Sequence, residues 1–235
     1  MANEIALAWV DYIRMNAEVT KSKERVVTEF SLSIVINGKP LATAVMTPSM
    51  QKEFVVGHLF GQGIIKSIDD VSSIIIKGNK AEVNIAVRRR RTVTKFPQVR
   101  SKFKTGREDI FKGVKAILKS KIFEETEAVH SAGLFKSGAE PVCVAEDIGR
   151  HNALDKVIGF ALLNGEDFGS TFVTSTGRIP YEMVVRCCNA NIPIIASKGV
   201  PTSMGIETAA KAGFTIVGFV RGNEMIVYSN AERIV

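Results

Sequence analysis

The chain has 235 residues, 46% of them apolar and 23% charged, enough to bury a substantial core in one or two domains of ordinary globular composition. No run approaches the ~18 consecutive apolar residues that cross a bilayer, and the opening MANEIALAWVDYIRM lacks the basic and then long apolar segments of an export signal, so a soluble cytoplasmic protein with no membrane partner is expected. The net charge of +7 is local: nine cations and no acid lie from Arg88 to Arg107, and removing those nine from 31 leaves 22 cations against 24 acids, which excludes a uniformly basic protein.

The first half reads as strands with one helix. Phe30, Leu32, Ile34 and Ile36 alternate with Ser31, Ser33 and Val35, and Asn37-Gly38 supplies the positive φ angles of a tight hairpin into a strand from Leu41 to Met46. Thr47-Pro48 breaks that strand. Residues 50–60 then predict a helix with Phe54, Val55, His58 and Leu59 on one side, ended by Gly61 and Gly63. His58, placed among apolar neighbours, reads as a packed and hydrogen-bonded histidine. Strands near 71–77 and 81–87 complete a small α+β domain, residues 1–95. The basic connection 88–107 follows: Arg88, Arg89, Arg90, Arg91, Lys95, Arg100, Lys102, Lys104 and Arg107. Such a tract either solvates as a self-repelling loop or grips a polyanion, whether nucleic acid, an acidic partner or a phosphate-rich cofactor. Its two interleaved aromatics, Phe96 and Phe103, make a thin stacking platform, so a basic nucleic-acid-binding protein is an alternative resting on this tract alone.

From 108 onward the rhythm changes. Ile110, Phe111, Val114, Ile117 and Leu118 mark an amphipathic helix, and then strands at 141–145, 171–174, 192–196 and 214–220 are separated by helices at 152–163, 180–190 and 203–212. That alternation predicts a layered α/β domain, residues 108–235, with a sheet at least partly parallel. Ligands of such sheets sit outside the carboxyl ends of the strands, and here those ends carry EDIGRHN, STGRI, SKGVPTS and RGN. The first contributes Asp147, Gly149, Arg150, His151 and Asn152 at a helix start, where unpaired backbone N–H groups favour an anion. The second contributes Ser175, Thr176, Gly177 and Arg178 ahead of Pro180, which suits a first helical position. The third brings Ser197, Lys198, Gly199, Thr202 and Ser203, and the fourth Arg221, Gly222 and Asn223. Hydroxyls, glycines and cations at equivalent strand ends describe one pocket for a phosphate-bearing, nucleotide-like ligand, with Arg150, Arg178 and Arg221 on a common rim.

Other chemistries fit less well. His130-Ser131-Ala132 with the adjacent Cys187 and Cys188 offers no zinc-deaminase spacing and no structural zinc pattern, so no metal is expected. The three cysteines form no disulfide framework and no C-x-x-C pair, which fits a reducing compartment. Cys143 in a strand and Cys188 in register with Val184 and Val185 read as packing residues, while Cys187 is less constrained. A Ser175, His151 and Asp147 triad lacks the G-x-S-x-G elbow.

These residues resemble one family, the FdhD-type formate dehydrogenase accessory proteins. EDIGRHNALDKVIG is similar to its most characteristic motif; STGRIPYEMV, NIPIIASKGVPTS and TIVGFVRGNEMIVY follow in the family's order, and EFSLSIVINGKPLATAVMTPSMQKEFVVGHLFGQGII resembles its opening block, so the likeness covers most of the chain. The resemblance implies a cytidine-deaminase-like layered α/β domain without the deaminase zinc, preceded by the smaller α+β domain. It implies a sulfurtransferase or sulfur carrier that takes persulfide sulfur from a cysteine desulfurase. The recipient would be molybdenum bis(pterin guanine dinucleotide), bound before it enters formate dehydrogenase. It implies a homodimer, and contact with that cofactor, or with a guanine nucleotide, by Phe219, Val220, Arg221, Gly222, Asn223 and Glu224.

One departure matters. The family's sulfur-carrying C-G-x-C-G motif belongs in the connection between the halves, and here RRRRTVTKFPQVRSKFKTGR contains no cysteine. A persulfide needs a thiol. Either Cys187 or Cys143 serves as a substitute, or this member is a cofactor-binding chaperone that moves no sulfur. In the second case the basic connection would be a lid or funnel for diphosphates, or a docking strip for an acidic partner.

Overall fold

The computed structural model describes residues 6–86 and 97–235, and thus leaves Arg88 to Arg91 and Lys95 outside. The chain opens with an antiparallel ribbon of β1 (Leu7–Met15) and β2 (Val19–Val27), followed by β3 (Phe30–Ile36), β4 (Lys39–Met46), α1 (Gln51–Gly61), β5 (Val71–Lys77) and β6 (Lys80–Ile85). These last four strands form one sheet, ordered β4-β3-β6-β5, in which only β3 and β6 run parallel. Asn37 and Gly38 take φ of 47° and 76°, the tight turn their sequence asks for.

The second half contains α2 (Arg107–Ile117), α3 (Lys121–Thr126), β7 (His130–Phe135), β8 (Pro141–Asp147) and α4 (Arg150–Leu163). It continues with β9 (Phe172–Ser175), α5 (Tyr181–Asn189), β10 (Ile194–Ser197), α6 (Ser203–Ala212), β11 (Thr215–Arg221) and β12 (Glu224–Ser229). The sheet order is β12-β11-β10-β9-β7-β8, with β9, β10 and β11 parallel and the flanking strands antiparallel. The expected partly parallel α/β sheet is therefore present. Sequence reading misses the β1–β2 ribbon, α3, β7 and β12. HSAGLF of β7 is mostly small residues without alternation, and the ribbon interleaves apolar and charged residues on both faces. Pro180 is the N-cap of α5, not its first helical residue.

Both faces of the central strands are covered. Val173, Ile195 and Ile216 join one apolar cluster, while Phe172, Ile194 and Val217 join another beneath Ile110, Val114 and Ile117 of α2. Burial on two sides is why these strands read as unbroken apolar runs. The first cluster extends through Leu154 and Val157 of α4 to Phe54 and Leu59 of α1 and on to Leu32 and Ile34 of β3. Helices α1 and α4 touch backbone to backbone. A Cβ on Gly57 would lie 1.7 Å from the Asp155 carbonyl oxygen, and one on Gly159 would lie 1.7 Å from that of Glu53. Neither backbone can yield without separating the helices. We therefore expect Gly159→Ala to lower the unfolding free energy by about 3 kcal/mol, measured by urea denaturation, with Gly106→Ala, at φ −72° and with room for a methyl group, as a contrast.

Candidate functional site

The site is built on a buried carboxylate. Asp147, last residue of β8, is fully buried and accepts from five donors. Thr47 N (3.1 Å), Thr47 Oγ1 (3.2 Å) and Lys156 Nζ (2.7 Å) meet Oδ2, and Gly149 N (3.0 Å) and Asn152 Nδ2 (2.9 Å) meet Oδ1. Lys156 is fully buried as well and also donates to Thr47 Oγ1 at 2.7 Å and to the Glu146 carbonyl at 3.1 Å. Burial pulls its pKa down, against the opposing pull of Asp147. Behind this, Asp155 accepts from His58 Nδ1 at 3.0 Å and Arg186 Nε at 2.9 Å, tying α1 and α5 to α4. His58 is thus packed and bonded as its place on α1 suggests.

These ties fix the start of α4, whose N-cap Gly149 has no side-chain cap, beside the other strand ends. The loops are in contact. The backbone of Gly177 lies against Arg150, where a Cβ would sit 2.8 Å from Arg150 Cδ, and a Cβ on Gly199 would sit 2.6 Å from the Gly177 carbonyl oxygen. Lys198 N donates to Ser175 O, Phe219 N donates to Gly199 O at 2.9 Å, and Arg221 Nε donates to Lys198 O at 3.4 Å. Glycine is required at the first two positions by this close approach.

A cavity of about 400 Å³ opens there, lined by His130, Ile148, Thr176, Lys198, Gly199 and Arg221, and walled by Leu118, Phe123, Glu127, Ala128 and Val129. Neither Lys198 nor Arg221 has an ion-pair partner among the described residues. Phe219, at φ 55° in an irregular stretch of β11, carries the Arg221 guanidinium 4.4 Å above its ring. A bulky residue in that region is strained and needs its surroundings to hold it there. His130 Nδ1 lies 3.3 Å from Thr176 Oγ1, and burial, then the Arg150 charge, lowers its pKa, keeping the ring neutral. An uncharged donor-acceptor ring, a hydroxyl and two cations can receive an anion together.

The predicted residues divide. Arg221 lines this cavity and Arg150 lies behind it against Gly177, but Arg178 lines neither this cavity nor the second one described next. Of the three arginines expected on a common rim, Arg221 lines this cavity, and Lys198 is the second cation there. Phe219, Asn223 and Glu224 line a second cavity of about 630 Å³ with Arg107, Glu108, Phe111, Met225 and Ile226. Val220 is buried in the core beneath α2, and Gly222, at φ 56°, makes the turn into β12. Asp147, Asn152 and Ser175 are engaged with protein partners, Ser175 Oγ accepting from Gly177 N. Thr202 caps α6 through Gly205 N, and Ser203 is exposed at that helix start. Sequence reading missed His130 and the wall from α3, because no local pattern announces that β7 brings its first residue beside the end of β9.

Two further expectations change. Cys187, taken as the less constrained cysteine, is fully buried, and burial raises its pKa well above the ordinary thiol value; Cys143 and Cys188 are pushed up to about 12 by the same cause. The described part of the basic connection does not surround the cavity. Val99 N bonds Ala212 O, Arg100 N bonds Asn191 Oδ1 and Ser101 Oγ bonds Gly169 O, all at the amino ends of β11, β10 and β9. A funnel role is therefore excluded for Arg100, Lys102 and Lys104, which face solvent at the opposite edge of the sheet.

Fold and site together define a mixed α/β protein with a cavity at its strand ends that carries two cations, and with its thiols raised in pKa by burial. The FdhD/NarQ family model matches residues 27–100 and 88–235, and the chain belongs to that family. It is 34% identical over 244 residues to the sulfur carrier protein FdhD of Methanothermobacter thermautotrophicus, covering 96% of this chain and 98% of that one. With the sulfur carrier protein FdhD of Bacillus subtilis it shares 30% identity over 244 residues, 92% of this chain and 93% of the other. The crystal structure of a putative formate dehydrogenase accessory protein from Desulfotalea psychrophila superposes with a TM-score of 0.86 at 28% identity, over 98% of this chain and 100% of that one. No helix among the described residues is long and apolar enough to cross a membrane.

His151 supplies a pH test of this architecture. Its Nε2 is buried with no hydrogen-bond partner, and burial, with Arg186 and Arg150, pushes its pKa from 6.5 down to about 4. The unfolded chain takes up this proton at higher pH than the folded one, so the contribution is complete above pH 6.5 and is lost as pH falls toward 4. Denaturation midpoints should fall through that window in the native protein, and His151→Gln should flatten the fall.

Proposed function

We propose that this chain is an accessory protein of formate dehydrogenase maturation that holds the molybdenum bis(pterin guanine dinucleotide) cofactor, or a guanine nucleotide portion of it, at the strand-end cavity. The carrying observation is that Lys198 and Arg221 line one cavity without an ion-pair partner among the described residues. A volume of about 400 Å³ lies within the range of small-molecule sites. Lys198 and Arg221 would hold a diphosphate, Thr176 and the neutral His130 would hydrogen-bond its oxygens, and the Glu127 carboxylate would accept from a guanine edge. Phe219, Asn223 and Glu224 offer further contacts from the second cavity. The cofactor itself supplies the metal chemistry in the client enzyme. Division into a small α+β domain, a basic connection and a cytidine-deaminase-like layer belongs to the same reading.

In this reading the chain carries no persulfide on its own thiols. A sulfur carrier needs an accessible thiolate, whereas Cys187 and Cys188 are buried and the Cys143 thiol is pushed up to about 12. The relatives' name, sulfur carrier, favours a second reading in which Cys143 accepts sulfur from a cysteine desulfurase. Nucleic-acid binding retains little support among the described residues, since Phe103 is half-buried and leaves no exposed aromatic between Arg100, Lys102 and Lys104.

Titration calorimetry with guanosine diphosphate tests the first statement. Arg221→Ala and Lys198→Ala should each weaken binding by roughly 10-fold or more, the value of a charged hydrogen bond, with Arg178→Ala near neutral. Equal affinity in all three would place the ligand elsewhere. For the second, the protein is incubated with a cysteine desulfurase and cysteine, then alkylated and mapped by mass spectrometry. No persulfide is expected on any of the three cysteines; sulfur on Cys143 would establish the second reading.

A further inference from the structure

Along residues 98–105 burial alternates: Val99, Ser101, Phe103 and Thr105 are half-buried or buried, while Gln98, Arg100, Lys102 and Lys104 are exposed. That two-residue period belongs to an extended chain, whose side chains on one side recur every ~6.8 Å. The segment is held in this form from several directions. Val99 N donates to Ala212 O at 2.9 Å, Arg100 N to Asn191 Oδ1 at 2.9 Å and Ser101 Oγ to Gly169 O at 2.5 Å. Thr105 N donates to Arg233 O at 3.0 Å, the Arg233 guanidinium donates to Phe103 O at 3.2 Å, and Val99 and Phe103 pack against the two apolar clusters. A run of like charges ordinarily repels itself into a solvated coil. Here the backbone is fixed, and the three cations stay in step without an ion-pair partner among the described residues. Asp167, two residues from the Gly169 acceptor, gives its carboxylate instead to Gly169 N and Ser170 Oγ.

We propose that Arg100, Lys102 and Lys104 form a docking ladder for an acidic segment of a partner protein, which lies alongside in extended form with a carboxylate at every second residue. The match is one of charge and of period. Alternate residues of a strand recur at the same ~6.8 Å, so each carboxylate meets one cation. Nucleic acid fits less well on two counts. Single strands bind on aromatic platforms, whereas Phe103 packs against the core beneath α2. Three cations also neutralise too few phosphates for charge alone to hold a duplex. Exposed ion pairs are individually weak, so the ladder makes a contact that forms and releases readily. It lies at the amino ends of β9, β10 and β11, the opposite edge of the sheet from the strand-end cavity, and stands independently of what that cavity binds.

The probe is a short fluorescein-labelled peptide alternating Glu and Thr, titrated with the full chain and read by fluorescence anisotropy. It is compared with a peptide of the same composition whose Glu residues are contiguous, with an alternating Gln and Thr peptide, and with labelled oligothymidylate. The alternating acidic peptide should bind several-fold more tightly than the contiguous one, the Gln peptide should not bind, and affinity should fall as salt rises. Arg100→Gln/Lys102→Gln/Lys104→Gln should weaken binding by about 10-fold, the combined effect of three exposed ion pairs, with an unchanged circular dichroism spectrum. Equal affinity for the two acidic peptides, or none for either, overturns the proposal. Tighter binding of oligothymidylate than of the alternating peptide makes the ladder a nucleic-acid surface instead. Affinity that survives in this triple variant but is lost in Arg88→Gln/Arg89→Gln/Arg90→Gln/Arg91→Gln places the contact elsewhere in the basic tract and also overturns it.

Discussion

The geometry of the molecule depends on the buried pair of Asp147 and Lys156. Two charges withdrawn from water are costly, and such a pair gives net stability only when every lone pair and proton finds a partner. Here they do: Thr47, Gly149, Asn152 and the Glu146 carbonyl complete the set. What the pair secures is register. Thr47 follows β4, Asp147 ends β8 and Lys156 lies in the second turn of α4, so one cluster locks the first sheet, the second sheet and the helix that begins at the site. Substituting an apolar pair could preserve stability, but it would not specify which turn of α4 meets the end of β8.

With α4 placed, glycines determine how tightly the loops close. Gly177 admits Arg150, Gly199 admits the Gly177 carbonyl, and Gly218 lies where a Cβ would come 3.2 Å from the Gly199 carbonyl oxygen. The strand ends thereby form one surface instead of separate turns. Phe219 is the strained member of this surface, and its ring holds the Arg221 guanidinium toward the cavity. That strain is retained beside two cations that have no ion-pair partner among the described residues.

Several relatives are named for carrying sulfur, and the thiols of this chain bear on that name. The strand-end cavity carries Lys198 and Arg221 on its lining, while all three thiols sit where burial suppresses the thiolate. Holding a cofactor needs only fixed donors; passing sulfur needs a nucleophile that reaches solvent. Arg100, Lys102 and Lys104 belong to a segment pinned at the amino ends of the central strands, away from the strand-end cavity, whereas Arg107 lines the second cavity.

Much of the fold was legible in sequence because its signals are local. The Asn37-Gly38 turn, the helical stripe of Ile110, Val114 and Ile117, and the apolar runs of β9, β10 and β11 follow from backbone preference and periodicity. The absence of a cysteine from the basic connection is equally plain from the sequence. Tertiary structure alone decided which of the strand-end loop residues line the cavity. Lys198 joins Arg221 on the cavity lining where Arg178 does not, His130 arrives from a strand that sequence does not announce, and Asp147 is consumed by a lysine nine residues away. Sequence fixes a residue's chemistry and its place along one element; orientation toward a shared cavity depends on how separate elements pack, which no single stretch of chain encodes.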